Sequence, residues 1–176
     1  MKDYVVNDLF PVRKHNRLTV YDYSLPGAYF ITICTHDKKS LFGKIENRIM
    51  YTNTFGKIVQ SCWNDLTTHY AGISNDIFVV MPNHVHGIIL IHDEIGREGY
   101  KPSPTKPHHL SEIVRAFKTY SAKGINGIRK SPGVSAWQRS FYEHVIRDEK
   151  EYHEIGEYIL NNPAKWESDK ENISKL

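Results

Sequence analysis

The stretch that decides the fold is Met81-Pro82-Asn83-His84-Val85-His86-Gly87-Ile88-Ile89-Leu90-Ile91. Pro82 and Asn83 are typical of a turn, and the residues after them predict a strand over His84–His92. Residues i and i+2 of a strand point to the same face, so His84 and His86 present two imidazoles side by side. Because this strand continues as an apolar run on both faces, two idle surface histidines are a poor explanation. The pair is better interpreted as half of a divalent metal site.

The sequence around this strand predicts an α+β domain. Apolar residues at helical spacing predict three helices, which cover Thr54–Tyr70, Leu110–Ile128 and Glu149–Leu160. Thr54 and Ser111 are the predicted N-caps of the first two helices. Further strands are predicted over Ala28–Thr35, Ile77–Met81 and Phe141–Ile146, with a short strand pair within Ser40–Met50. Strands joined partly by hairpins favour an antiparallel sheet with helices on one face, in a ferredoxin-like arrangement.

The chain length fits one domain. The protein has 176 residues and a mass of 20.4 kDa, which leaves no room for two independent cores. We divide it into a basic arm (1–25), a single domain (26–166) and a polar tail (167–176) without a clear partner. Within the domain, residues 97–107 hold three prolines and are predicted to form a loop.

Composition excludes several classes of protein. The mean hydropathy is −0.51, and the apolar runs are too short to span a bilayer. The N-terminus lacks the pattern of a secretory signal. Cys34 and Cys62 are the only cysteines and have no CxxC spacing, so we expect two core thiols and a cytoplasmic protein. A net charge of +3 permits nucleic-acid binding without proving it.

The last predicted helix offers two more chemical groups. Tyr158 and Asn162 are four residues apart and share one helix face. Two imidazoles and an amide oxygen leave coordination positions open and suit Mg²⁺ or Mn²⁺ better than a structural zinc. A tyrosine beside such a metal has the composition of a site that attacks phosphodiesters. Taken alone, however, the segment Tyr158–Pro163 is more typical of a helix end with a packed tyrosine.

Several segments together resemble the REP-associated tyrosine transposases, a branch of the single-tyrosine HUH (His-hydrophobic-His) transposases. These segments follow the family order over about residues 13–166: Tyr21–Tyr23, Ala28–Thr35, Met81–Ile89, Phe117–Lys118, Trp137–Tyr142 and Tyr158–Pro163. The HVH triplet is weak evidence by itself, but the complete set is specific.

The resemblance implies both a mechanism and a partner. It implies His84 and His86 as metal ligands on a central strand, Asn162 as the third protein ligand, and Tyr158 as the nucleophile. The expected enzyme cleaves and rejoins single-stranded DNA near palindromic hairpin repeats through a 5′-phosphotyrosine, with Mg²⁺ or Mn²⁺ as cofactor. Family members are monomers or homodimers.

Other residues are weaker candidates. Tyr120 is the rival nucleophile, but its i+4 neighbour is Gly124, which cannot bind a metal. His144 is interpreted as a satisfied core histidine. Basic residues that either contact DNA phosphates or form solvated surface are Arg13, Lys14, Arg17, Arg115, Lys118, Lys123 and Arg139.

Three alternative functions remain open from the sequence. The first is a DNA-hairpin-binding protein that keeps the fold without transposition, although the intact His84, His86, Tyr158 and Asn162 argue against lost chemistry. The second is an HUH nickase of the replication or relaxase type, which usually sits in a longer chain. The third is a metal hydrolase without covalent chemistry, for which no general base pair is visible.

Overall fold

A computed structural model describes residues 22–92 and 108–172. Its strands are β1 (Gly27–Cys34), β2 (Gly43–Glu46), β3 (Ile49–Thr52), β4 (Ile73–Val80), β5 (His84–Ile91) and β6 (Tyr142–Ile146). Its α-helices are α1 (Thr54–Asn64), α2 (Leu66–His69), α3 (Leu110–Ile128) and α4 (Glu149–Asn161). In the described part of the chain, no helix is long and apolar enough to cross a membrane. The predicted arm residues Arg13, Lys14 and Arg17, and the predicted loop 97–107, lie outside the described residues.

The main sheet has four antiparallel strands in the order β4-β5-β1-β6. The chain reaches them in the sequence β1-α1-β4-β5-α3-β6, which is a β-α-β-β-α-β unit with its first and third strands at the centre. The predicted ferredoxin-like α+β fold is therefore confirmed. The strands β2 and β3 form a separate hairpin between β1 and α1.

Each strand alternates between the two faces of the sheet, and both faces are covered by helices. One face packs Tyr29 and Ile31 of β1 against α1 and α3, and we call it the core face. The other packs Phe30 and Ile88 against Ile159 of α4, and we call it the α4 face. The expectation of helices on one face only is wrong, because α4 has its own apolar stripe. His84 and His86 belong to the α4 face, since they pair with Cys34 and Thr32 of β1.

Two helix starts differ from the sequence prediction. The first helix is capped by Asn53, whose side-chain oxygen accepts from the backbone of Phe55 at 2.9 Å and Gly56 at 3.0 Å. Thr54 is instead the first helical residue. The third helix begins at Leu110 after His109, so Ser111 is inside it.

The first predicted helix is also interrupted. It does not run unbroken to Tyr70 but divides at Asp65, whose backbone N–H bonds to Ser61 and Trp63 and closes α1. Close packing fixes the strand beside it. A Cβ at Gly87 would lie 2.6 Å from the Trp63 ring, which stacks on Phe78 at 4.2 Å. Gly87 therefore lets the indole lie directly on β5 and holds this strand in place from the core face.

The chain after α4 returns to the sheet. Residues Pro163–Ser168 form a 3₁₀ helix, and Glu171 then bonds to three partners. Its carboxylate accepts from Lys38 Nζ at 2.8 Å and Cys34 Sγ at 3.3 Å, and its carbonyl accepts from Asn83 Nδ2 at 2.7 Å. Burial raises the pKa of the Cys34 thiol to about 12. The expectation of a tail without a partner is wrong for residues 167–172.

Candidate active site

The two histidines of β5 lie side by side in the interior, as the strand period predicts. Both side chains are fully buried, and their Nε2 atoms are 3.0 Å apart. Each ring is held by its other nitrogen: Nδ1 of His84 is 2.8 Å from Asn83 Oδ1, and Nδ1 of His86 is 2.8 Å from Thr32 Oγ1. Ligating histidines are commonly oriented in this way, through a hydrogen bond at the nitrogen that does not face the metal.

The hydrogen bonds of Asn83 determine the tautomer of His84. Its amide nitrogen donates to the carbonyl oxygens of Lys38 at 3.1 Å and Glu171 at 2.7 Å. The remaining amide oxygen can only accept, so His84 Nδ1 carries the proton. His84 Nε2 therefore presents a lone pair toward His86. When Thr32 accepts from His86 Nδ1, the lone pairs of both rings converge on one space, which is the arrangement that binds a cation.

A buried carboxylate adjoins this pair, and the buried amide of Asn162 lies with that carboxylate on the wall of one cavity. Asp169 Oδ2 lies 3.7 Å from His84 Nε2, and the ligand atoms of His84, His86 and Asp169 all lie within 4.8 Å of one another. Neither Asp169 Oδ2 nor Asn162 Oδ1 has a hydrogen-bond partner within residues 22–92 and 108–172. Buried polar atoms of this kind are normally satisfied, so the pair calls for a ligand. Two imidazoles, a carboxylate and an amide fit a hard divalent cation.

The imidazoles are neutral at physiological pH. Burial lowers the pKa of His84 to about 4. Burial, together with the neighbouring His84, holds the pKa of His86 well below its usual value. Neutral imidazole is the form that ligates metals. The burial of the two rings therefore keeps them ready to bind a cation.

Tyr158 of α4 meets the histidine pair. Its hydroxyl lies 3.3 Å from His86 Nε2, and its ring packs edge-on against Phe30 at 6.0 Å. Burial, followed by the Asp169 carboxylate, raises the pKa of this phenol, and the Asn162 amide partly offsets the effect. In the tautomer that places the His86 ring proton on Nδ1, the protonated phenol donates to His86 Nε2. The structure thus brings Tyr158, His86 and the buried Asn162 together.

Comparisons with known proteins identify two related sequences and a similar fold. No family model matches the chain. An uncharacterised protein of Haemophilus influenzae is 41% identical over 167 residues, which cover 89% of this chain and 91% of that protein. A second protein of that organism, named as a REP-associated tyrosine transposase, is 25% identical over 144 residues, which cover 82% of this chain and 74% of that protein.

The chain is similar to a REP-associated tyrosine transposase.

A solved structure of a REP-associated tyrosine transposase bound to a REP hairpin shares the fold. Its TM-score is 0.54 at 20% identity, over 82% of this chain and 71% of that chain. At this identity the likeness shows the fold alone.

The rival tyrosine lies elsewhere. Tyr120 is on α3, which packs on the core face, and its side chain is 60% exposed. It stacks on His69 at 6.1 Å. His144 lies on β6 and pairs with Glu151 at 2.7 Å, so it is satisfied as predicted, but it is half-buried and does not lie in the core. Of the two candidate nucleophiles, the structure sets only Tyr158 against the histidine pair.

The predicted DNA-contacting residues divide into two groups. Arg115, Lys123 and Arg139 are exposed. Lys118 is instead partly buried. Its amine donates to the carbonyl oxygens of Gln138 and Ser140, each at 3.0 Å. Burial lowers the pKa of this amine to about 8. In this structure Lys118 holds the chain before β6 in place.

An open cavity of about 380 Å³ leads to the tyrosine. Its wall includes Tyr158, Asn162, Asp169, Tyr142 and Lys170. The Lys170 amine lies 5.6 Å from the centre of the Tyr142 ring. The Tyr158 side chain is therefore accessible from this cavity, while the two histidines remain buried.

Sequence reasoning missed Asp169. This residue was assigned to the polar tail, and nothing in its local sequence marks it as a ligand. Its place depends on the 3₁₀ helix and on Glu171, which fasten the segment against Lys38 and Asn83. The available signal in the sequence is Pro163, which ends α4 and so indicates that the chain changes direction before Asp169.

Proposed function

We propose that the chain is a divalent-metal-dependent transposase that cleaves and rejoins single-stranded DNA with Tyr158 as the nucleophile. The observation that carries the proposal is the 3.3 Å contact between the Tyr158 hydroxyl and Nε2 of the buried His86. A tyrosine that served packing alone would have no need of a polar cluster at its hydroxyl. Sequence similarity to a REP-associated tyrosine transposase supports the same reaction class.

The cation is expected to be Mg²⁺ or Mn²⁺, held by His84, His86 and Asn162. Asp169 is the additional candidate, because its buried oxygen faces the same space. When bound, the cation supplies Lewis acidity at the scissile phosphate. Asn83 and Thr32 hold the imidazole rings in the orientation that exposes Nε2.

The bond changes balance without an external energy source. The Tyr158 oxygen attacks phosphorus, the bond from phosphorus to the 3′ oxygen breaks, and the phenol proton is matched by the proton that the leaving 3′-OH gains. The products are a 5′-phosphotyrosine and a free 3′-OH. Attack by the 3′-OH of another strand reverses the step and rejoins DNA. Phe30 keeps the Tyr158 ring oriented toward His86 throughout.

The proposed substrate is single-stranded DNA that carries palindromic hairpins of the REP type. The solved REP-associated tyrosine transposase that shares the fold is bound to such a hairpin. Phosphate contacts are assigned to the exposed Arg115, Lys123 and Arg139, with the predicted arm residues Arg13, Lys14 and Arg17 adding positive charge. The active form is a monomer or a homodimer.

Trapping of the covalent intermediate tests this function. Wild-type protein, labelled hairpin-bearing single-stranded DNA and Mn²⁺ should give a protein–DNA adduct on a denaturing gel. Tyr158→Phe should lose the adduct and keep the fold, because only the hydroxyl is removed. Tyr120→Phe is the matched control and should keep the adduct. Cleavage without any adduct would indicate a hydrolase that uses water, and DNA binding without cleavage would indicate a binding protein.

A further inference from the structure

A second cavity lies between the β2–β3 hairpin and the 3₁₀ helix after α4. Its volume is about 490 Å³, and its wall includes Asn47 and Arg48 of the hairpin turn and Lys165 and Trp166 of the 3₁₀ helix. We call it the hairpin groove. Asn47 and Arg48 have no role in the candidate active site described above.

The hairpin groove adjoins the cavity at Tyr158. The two share Lys165 and Ser168 in their walls. The Tyr158 cavity in turn shares Tyr142 and Lys170 with a third cavity of about 270 Å³. Three neighbouring cavities of the described residues therefore share wall residues, and the candidate nucleophile lines the middle one. A row of adjoining cavities fits an extended chain that passes Tyr158 on both sides.

The walls of the hairpin groove have the chemistry of a nucleotide site. Arg48 and Lys165 are exposed and form no ion pair with a carboxylate among residues 22–92 and 108–172, although Glu167 is also part of the wall. Trp166 supplies an aromatic ring, which stacks at 6.1 Å on His84. Free cations beside an aromatic ring bind phosphates and bases of single strands without strict sequence preference.

The backbone of the hairpin turn adds an independent observation. Asn47 and Arg48 both have a positive φ, of 51° and 65°. Two-residue hairpin turns of this type favour Asn followed by Gly, so Arg48 occupies a position where glycine would be less strained. Such strain typically persists where a side chain has a function.

We propose that the hairpin groove binds nucleotides of the single strand that flank the phosphate attacked by Tyr158. The location of that phosphate rests on the proposed function. Arg48 and Lys165 contact backbone phosphates, and Trp166 stacks on a base. Because Trp166 also packs on His84, occupation of the groove orients the strand directly beside the candidate metal ligands.

Arg48→Gly separates a role in binding from a role in folding. Glycine relieves the positive φ, so the melting temperature should stay unchanged or rise. Loss of one phosphate contact should weaken binding about five-fold at about 0.1 M salt and lower the slope of log K against log salt by about 0.7. The probe is a fluorescent single-stranded oligonucleotide of about 20 nucleotides, with EDTA present so that no strand is cut.

The matched control removes a charge elsewhere. Lys57 is exposed on α1, which packs on the core face, and Lys57→Ala should keep the wild-type affinity and slope. Lys165→Ala should weaken binding as Arg48→Gly does. Wild-type affinity and slope in both groove variants would overturn the proposal.

Photo-crosslinking provides a readout that does not depend on catalysis. Oligonucleotides with 5-iodouracil at successive positions beside the cleavage site should crosslink to Trp166, identified by peptide mapping. If a Tyr158 adduct forms while no position crosslinks to Trp166, the groove assignment is wrong and the proposed function stands. If Trp166 crosslinks while no tyrosine adduct forms, the groove binds DNA and the nucleophile is wrong.

Discussion

The two faces of the central sheet bury different kinds of side chain. On the core face, large apolar side chains such as Trp63, Phe117 and Tyr29 are almost completely buried among one another. On the α4 face the apolar cluster is much smaller, and it adjoins the buried His84 and His86.

The contrast indicates that the core face contributes most of the stability of the fold. Burial of large apolar side chains stabilises the fold, whereas buried polar groups cost stability unless they are partnered. The orphaned oxygens of Asn162 and Asp169 on the α4 side are such a cost. Residues that cost stability in this way are expected at functional sites, and a ligand that binds these two oxygens would explain why they are present.

The largest predicted effect lies on the core face. Trp63→Ala removes a side chain that stacks on Phe78 and packs edge-on against Phe117 at 5.9 Å. We expect it to lower the free energy of unfolding by about 3–5 kcal/mol, measured by urea titration. Tyr158→Phe on the α4 face should lower it by less than about 1 kcal/mol, because the ring still packs. Equal losses in the two variants would contradict the division between the faces.

Mn²⁺ should stabilise the protein through the α4 face. At about one hundred times its Kd, a ligand that binds only the folded state adds about 2.7 kcal/mol, which a thermal unfolding series with and without Mn²⁺ detects. His86→Ala should abolish this gain. His144→Ala, which removes a histidine paired with Glu151, should retain it. A full Mn²⁺ response in His86→Ala would exclude the histidine pair as the binding site.

Asp169→Asn sharpens the assignment of ligands. If the carboxylate binds the cation, the neutral amide should weaken Mn²⁺ binding about ten-fold, or about 1.4 kcal/mol, by calorimetric titration. Glu167→Gln serves as the control, because it changes an exposed carboxylate of the 3₁₀ helix that precedes Asp169. Unchanged affinity in Asp169→Asn would leave Asn162 as the third protein ligand.

The smallest predicted effect concerns Lys118. Burial lowers its pKa to about 8 in the folded protein, below the usual value of about 10.4. The unfolded chain therefore binds more protons between these two values, so stability contributed by this residue should rise as pH increases from about 8 to 10. The rise is measured as the difference between wild type and Lys118→Met in urea titrations. A difference that falls over this range would contradict the buried amine.

Much of the site follows from short-range geometry. The period of a strand places His84 and His86 on one face, and the period of a helix places Tyr158 and Asn162 on one face. These arguments need only the correct element type. Both histidines lie on β5, and Tyr158 lies on α4 with Asn162 as the C-cap in helical conformation.

The remaining features depend on contacts between distant residues. The strand β4 begins at Ile73 rather than Ile77, since the polar Ser74 and Asn75 find partners in His92 and the carbonyl of Trp63. Asp169 reaches His84 only after the chain has turned through a 3₁₀ helix. Local patterns contain no information about such partners.

Peptide mapping of the trapped adduct tests the central claim most directly. After trypsin digestion, Tyr120 lies in the peptide 119–123 and Tyr158 in the peptide 151–165, and fragmentation separates Tyr158 from Tyr152. The account predicts DNA on Tyr158, formed only with a divalent cation present. DNA on Tyr120, or an equally abundant adduct in EDTA, would contradict it.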